Sequence, residues 1–206
     1  MAAFFGQVKE AALDRKKAII DCIGRGDSGE QVAMRLMVLS PTFAFEGKED
    51  IGFEITESVA DFFNVSVRSV HVCGSAKLGF SPHKGTEFII GSSDLDLAVI
   101  DENCFTRYVD EVISVTKQYR KRTGFQRGDN NSYNSFVAYL AKGIFRPDLM
   151  PYCDTRRKWL EFFGSMSIKY SQLFESISAA IYLSDQAFRM KQSTSITEFG
   201  TKGAHL

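Results

Sequence analysis

Asp94 and Asp96 stand one residue apart in the run Ser-Asp-Leu-Asp-Leu-Ala-Val-Ile, residues 93–100. In a strand, residues i and i+2 share a face. The two carboxylates therefore project together, with Leu95 and Leu97 on the opposite side. Two such groups repel each other unless a cation neutralises them. Magnesium suits the pair, because it takes oxygen ligands, keeps some waters and is completed by substrate phosphates; manganese is the alternative ion. A metal held this way neutralises charge on a transferring phosphoryl group and orients the attacking oxygen. The bland reading of an isolated Asp-x-Asp is an exposed strand end whose acids face water.

The second chemical stretch is Cys-Gly-Ser-Ala-Lys-Leu-Gly, residues 73–79. A strand that turns through Gly-Ser into a helix presents free backbone N–H groups, which favour an anion. Gly74 lets the backbone come close to a ligand, Ser75 offers a hydroxyl and Lys77 offers charge. Alone, this pattern reads as an ordinary turn.

Together the two stretches resemble the nucleotidyltransferase superfamily related to DNA polymerase beta. The matching residues are Cys73, Gly74, Ser75, Gly79, Ser93, Asp94, Asp96 and the apolar run Leu97-Ala98-Val99-Ile100. The resemblance implies that Gly74, Ser75, Lys77 and Ser93 contact a nucleoside triphosphate such as ATP, and that Asp94 and Asp96 are the catalytic carboxylates and magnesium ligands. It looks most like the branch of cyclic-nucleotide synthases, tRNA-tailing enzymes and small bacterial defence-associated or antitoxin-like transferases. Two departures stand out. Eighteen residues separate Ser75 from Asp94, so the segment Phe-Ser-Pro-His-Lys-Gly-Thr-Glu-Phe-Ile-Ile reads as an insertion, a lid or substrate loop. His83 reads as an exposed residue of that loop. Many members also carry a third carboxylate on a later strand. Past residue 124 no apolar strand with an Asp or Glu is legible, which leaves Asp129, Asp148 and Asp154 in turn-like surroundings. Small antitoxin-like members lack an obvious third carboxylate too.

Helices and two strands must position these residues. Residues 2–23 form an amphipathic pattern with Ala12, Ile19, Ile20 and Ile23 on one face. Asp27 or Ser28 caps a short helix after the Gly-Arg-Gly break. Residues 50–65 read as a helix burying Phe53, Val59, Phe62 and Phe63. Val67, Val70 and Val72 mark a first strand that ends at Gly74. Residues 94–100 form the second strand, and residues 101–122 a helix. Residues 132–145 read as a helix ending near Gly143, and residues 155–167 and 167–191 as two more. The last dozen residues read as frayed.

The 206 residues carry 25 Lys+Arg and 25 Asp+Glu, so no global basic field advertises a nucleic-acid partner. The basic run Lys117, Arg120, Lys121, Arg122 and Arg127 reads as a solvated helix end matched to its dipole, with contact to RNA or phosphate as the alternative. Trp159, Phe162 and Phe163 read as core. The cysteines Cys22, Cys73, Cys104 and Cys153 are widely spaced, which argues against a zinc site and a disulfide framework. No segment approaches the roughly 20 apolar residues of a membrane span. A cytoplasmic protein with no membrane partner is expected.

The expected fold is α+β: a small mixed sheet of the polymerase-beta-like type with flanking and C-terminal helices. Its expected parts are a helical segment 1–64, a core 65–154 and a helical segment 155–206. The resemblance implies a magnesium-dependent nucleotidyltransferase moving a nucleoside monophosphate to an RNA, protein or nucleotide acceptor, in a setting of antiviral defence. The alternative is a catalytically degenerate nucleotide sensor or an antitoxin-like interaction protein.

Overall fold

The computed structural model describes residues 2–125 and 130–203. Within them, eight α-helices flank a four-stranded mixed sheet, an α+β fold. Helix α1 (Ala2–Gly24) leads to α2 (Gly29–Met34), which a capping box starts: Gln31 N–H donates to Ser28 Oγ and Ser28 N–H donates to Gln31 Oε1. A π-turn (Arg35–Leu39) and a 3-10 turn (Phe43–Phe45) follow. Helix α3 (Glu49–Phe63) buries Gly52, Ile55, Val59, Ala60 and Phe63, a stripe at helical spacing. Phe53, expected inside, falls off that stripe and is 57% exposed.

The unit β1 (Val70–Cys73), α4 (Gly74–Leu78), β2 (Leu95–Ile100) comes next. Helix α5 (Glu102–Val115) starts where Asp101 accepts the Cys104 N–H at 2.7 Å. Its expected continuation to residue 122 does not occur. Thr116 is buried, donates its hydroxyl to Val112 O and accepts the Tyr119 N–H, which turns the chain away. Helix α6 (Asn130–Leu140) precedes a two-residue strand β3 (Ile144–Phe145), and α7 (Asp154–Lys169) precedes β4 (Ile177–Tyr182). Helix α8 (Asp185–Gly203) runs through residues expected to fray; its Ile196 and Gly200 are buried, and Gly200 lies against Ile23 of α1.

The strand order is β1-β2-β4-β3. β1 is antiparallel to β2, β2 parallel to β4 and β4 antiparallel to β3. The largest correction to the sequence reading is β4: residues expected to continue a helix form a central strand, so the sheet draws on residues from 70 to 182.

Alternation divides the sheet into two faces. Val70, Val72, Leu95, Leu97, Val99, Phe145, Ile177, Ala179 and Ile181 join the aromatic core built with α3, α5 and α7. Cys73, Ala98, Ile144 and Tyr182 join a second, smaller core with α1, α2 and α8. Asp96 shares the parity of this second face. Among the described residues, no helix is long and apolar enough to cross a membrane.

Candidate functional site

On the second face, at the end of β1 and the beginnings of β2 and β4, a pocket of about 360 Å³ opens between the sheet, the 81–83 loop and α8. Its floor is a row across three strands: Cys73, Asp96 and Ser178, joined by the registers Cys73↔Asp96 and Asp96↔Ser178. Arg146 and Asp148 close one side, His83 and Lys191 another.

Gly74 leaves β1 at φ +65°, a left-handed conformation that a Cβ disfavours. A Cβ placed there would stand 3.0 Å from Asp96 Oδ2. The chain therefore bends directly against the carboxylate, and glycine is what lets it. Asp96 is solvent-accessible, but the concavity strips part of its hydration. That loss, followed by the Asp94 charge, pushes its carboxyl above the usual range; Arg146, Ser178 and Lys84 oppose the rise. Burial first, then Asp96, push the Cys73 thiol up, so it stays protonated, and it donates to Asp96 O at 3.4 Å.

The other sequence-marked residues divide. Asp94 immediately precedes β2, is exposed, and accepts the Ser176 hydroxyl at 2.6 Å; its charge reaches Asp96 although it does not line the pocket. Ser93 accepts the Ile89 N–H on its hydroxyl at 2.9 Å and the Glu175 N–H on its carbonyl at 3.0 Å, pinning the loop before β2. Ser75 lies half-buried in α4, outside the pocket lining. Lys77 is turned elsewhere: it is 5% exposed, donates to Ser40 O at 2.6 Å and lines a separate concavity with Glu46 and His71. Burial, then the Arg15 charge, bring its ammonium down to about 8.

Of the third-carboxylate candidates, Asp148 lines the pocket, but Arg146 holds it through Nε at 2.8 Å and a terminal nitrogen at 2.7 Å. Asp154 sits in the first turn of α7, paired with Arg157 and Lys158 and away from the pocket. Asp129 lies outside the described residues, as does Arg127. Arg146, Ser178, Lys191 and Gln192 line the pocket without having been singled out in the sequence. Ser178 was hidden because its strand read as helix; the alternation Ile177, Ala179, Ile181 was the available signal.

No cluster of three or more His, Cys, Asp or Glu side chains placed to hold a metal occurs among the described residues. Asp96 alone of the two faces the pocket, and the Asp94 charge reaches it from outside the lining, so an ion there would have to bring water and phosphate oxygens of its own. Comparison with family models, with curated proteins and with solved structures finds no match for the chain.

Proposed function

We propose that the chain is a nucleotidyltransferase acting on a nucleoside triphosphate in the pocket between Gly74 and Asp96. The observation that carries the reading is the contact between the Gly74 bend and the Asp96 carboxylate. It puts half-buried glycine backbone beside one carboxylate of the Asp94/Asp96 pair, an arrangement suited to a triphosphate with its counter-ion. Asp94 and Asp96 would hold magnesium. When bound, the ion supplies neutralisation of charge on the transferring phosphoryl group. Gly74 allows the close approach of the phosphates, and Arg146 and Lys191 bring positive charge to the same cavity. An acceptor hydroxyl oxygen forms a bond to the α-phosphorus, the bond to the β-phosphate oxygen breaks, and pyrophosphate leaves; the hydroxyl proton passes to solvent. The acceptor class is RNA, protein or a second nucleotide, and antiviral defence is the setting the resemblance implies.

A second reading, a nucleotide-binding sensor without transfer, is favoured by Ser178. The strand beside Asp96 offers a hydroxyl where a third acid would complete the site, and Asp148 is occupied by Arg146. Labelled ATP separates the two. Magnesium-dependent pyrophosphate release that is lost in Asp94→Ala/Asp96→Ala supports transfer. Binding without release, across RNA, protein and nucleotide acceptors, supports the sensor. Transfer persisting at wild-type level in the double variant overturns the mechanism.

A further inference from the structure

The basic turn after α5 takes no part in the pocket, yet it is built with unusual care. Lys117, Gln118 and Tyr119 adopt three consecutive left-handed conformations, with φ of 49°, 58° and 62°. Such backbone is costly for residues with a Cβ, and a run of three persists only where its surroundings impose it. Here they do. Gln118 N–H donates to Ile113 O at 2.8 Å, Lys121 N–H to Thr116 O at 2.8 Å and Tyr119 N–H to Thr116 Oγ1 at 2.9 Å. The Tyr119 ring packs edge-on to Tyr133, and the Arg122 guanidinium lies 4.2 Å from the Tyr133 ring centre.

The consequence is a cluster of charge. Lys117, Arg120, Lys121 and Arg122 are all exposed on this turn. Among the described residues, none of the four forms a salt bridge. A concavity of about 380 Å³ beside them is lined by Ile113, Ser114, Lys117, Gln118 and Arg120.

An aromatic platform adjoins the turn. Tyr152 N–H donates to Gly124 O at 2.7 Å, which fastens residue 152 to the end of the basic segment. The Tyr152 side chain is a large apolar group left 62% exposed, and the Arg156 guanidinium lies 4.3 Å from its ring centre. Arg156 is itself fixed, donating to Met150 O at 2.8 Å and Asp148 O at 2.6 Å. Arg156 is buried, so it braces the exposed Tyr152 ring from beneath.

We infer that the basic turn 117–122 and the Tyr152 ring form a binding surface for single-stranded nucleic acid. Exposed cations with no carboxylate partner among the described residues recruit phosphodiester charge, and an exposed ring steadied by a guanidinium offers a face for an unstacked base. An acidic peptide would use the cations and leave the ring idle. Base-paired nucleic acid would keep its base faces inside the duplex. The inference rests on this surface alone and holds whether or not the pocket transfers nucleotide.

The test is anisotropy of a fluorescein-labelled 15-residue oligouridylate with the full chain, titrated across sodium chloride concentrations. Four phosphate contacts give a slope of log K against log salt of about −3. Lys117→Gln/Arg120→Gln/Lys121→Gln should flatten that slope to about −1 and weaken binding at least ten-fold at low salt. Tyr152→Ala should weaken binding about ten-fold and leave the slope unchanged. Lys202→Gln, at an exposed cation in the last turn of α8, should bind the oligonucleotide like wild type, which separates this surface from general positive charge. If the triple variant does not fold, Lys121→Gln alone, with a slope shallower by about 0.7, carries the test. The inference is overturned by salt-independent or absent binding, by wild-type binding in the triple variant or in Tyr152→Ala, or by polyglutamate competing as well as the oligonucleotide.

Discussion

Asp96 and Ser178 stand side by side across the parallel β2–β4 ladder, with Cys73 flanking Asp96 on β1. The row gives the pocket floor one acid between a protonated thiol and a hydroxyl. Asp94, two residues earlier, adds a second negative charge that Asp96 feels. An ion placed on that floor would meet the Asp96 carboxylate directly, with Asp94 adding charge from outside the lining, and would have to draw most of its ligands from water or substrate.

Ser178→Asp tests that row. A third carboxylate beside Asp96 adds like charge to a group already burdened by Asp94. In the presence of a chelator the variant should lose about 1–2 kcal/mol, a fall in Tm of roughly 4 °C for a chain of this size. Magnesium with ATP should restore more of that loss in the variant than it adds to wild type. Thermal unfolding under both conditions reads the outcome; an unchanged Tm in chelator would mean that residue 178 does not face Asp96.

Asp96→Asn tests the same carboxylate by removing its charge. Its pKa lies above the unfolded value, so the fold disfavours the ionised form. The folded state then holds more protons than the unfolded state between the two values. Wild type is therefore less stable than the Asn variant near neutral pH, and the gap closes as the pH falls through the raised folded value. The gap at neutral pH should be a few tenths to about 1 kcal/mol, because water reaches the carboxylate and screens it. Urea unfolding across the pH range checks the sign, and a wild type more stable than the variant at neutral pH would refute it.

What the sequence made legible follows from how local each signal was. The β1–α4–β2 unit could be read because its punctuation is local: β-branched residues up to Cys73, a glycine bend at 74 and alternation from Asp94 to Leu97. β4 could not be read, because Ser178, Ala179 and Ala180 have short side chains that fit a helix face as well as a pleat. Its identity comes from the neighbour it pairs with, β2, and that is a property of the folded chain. The same reason hid Ser178 from the candidate site. The end of α5 was missed because three left-handed residues without glycine have no local signature. The Lys77 ammonium reaches the Ser40 carbonyl, a partner 37 residues away that spacing from Gly74 does not encode.

Gly74→Ala, set against Gly47→Ala, isolates the approach to Asp96. Both glycines have positive φ, +65° and +70°, but only at Gly74 does a Cβ meet a carboxylate; at Gly47 the space is open. Each substitution carries the conformational cost of a left-handed alanine, roughly 1 kcal/mol. Gly74→Ala should cost more, and it alone should weaken binding of ATP with magnesium, by ten-fold or more. Equal stability losses with equal ATP affinity would show that the Asp96 contact matters to neither.

Lys77→Met addresses the residue that the structure takes out of the pocket. Lys77 Nζ donates to Ser40 O at 2.6 Å and to Thr42 Oγ1 at 3.4 Å, inside the helical layer. Burial and Arg15 bring its pKa down to about 8 from an ordinary 10.5. Between those two values the unfolded chain binds more protons than the folded one, so the Lys77 contribution to stability rises with pH. Moving from pH 7.5 to 9.5 should therefore shift the difference between wild type and Lys77→Met toward wild type by on the order of 1–2 kcal/mol. Denaturant unfolding at the two pH values measures it. Affinity for ATP with magnesium should stay at wild-type level in the folded variant, because the ammonium is spent on the Ser40 carbonyl. A flat pH difference would show that the ammonium is fully solvated, and a loss of ATP affinity without loss of fold would return Lys77 to the phosphate site.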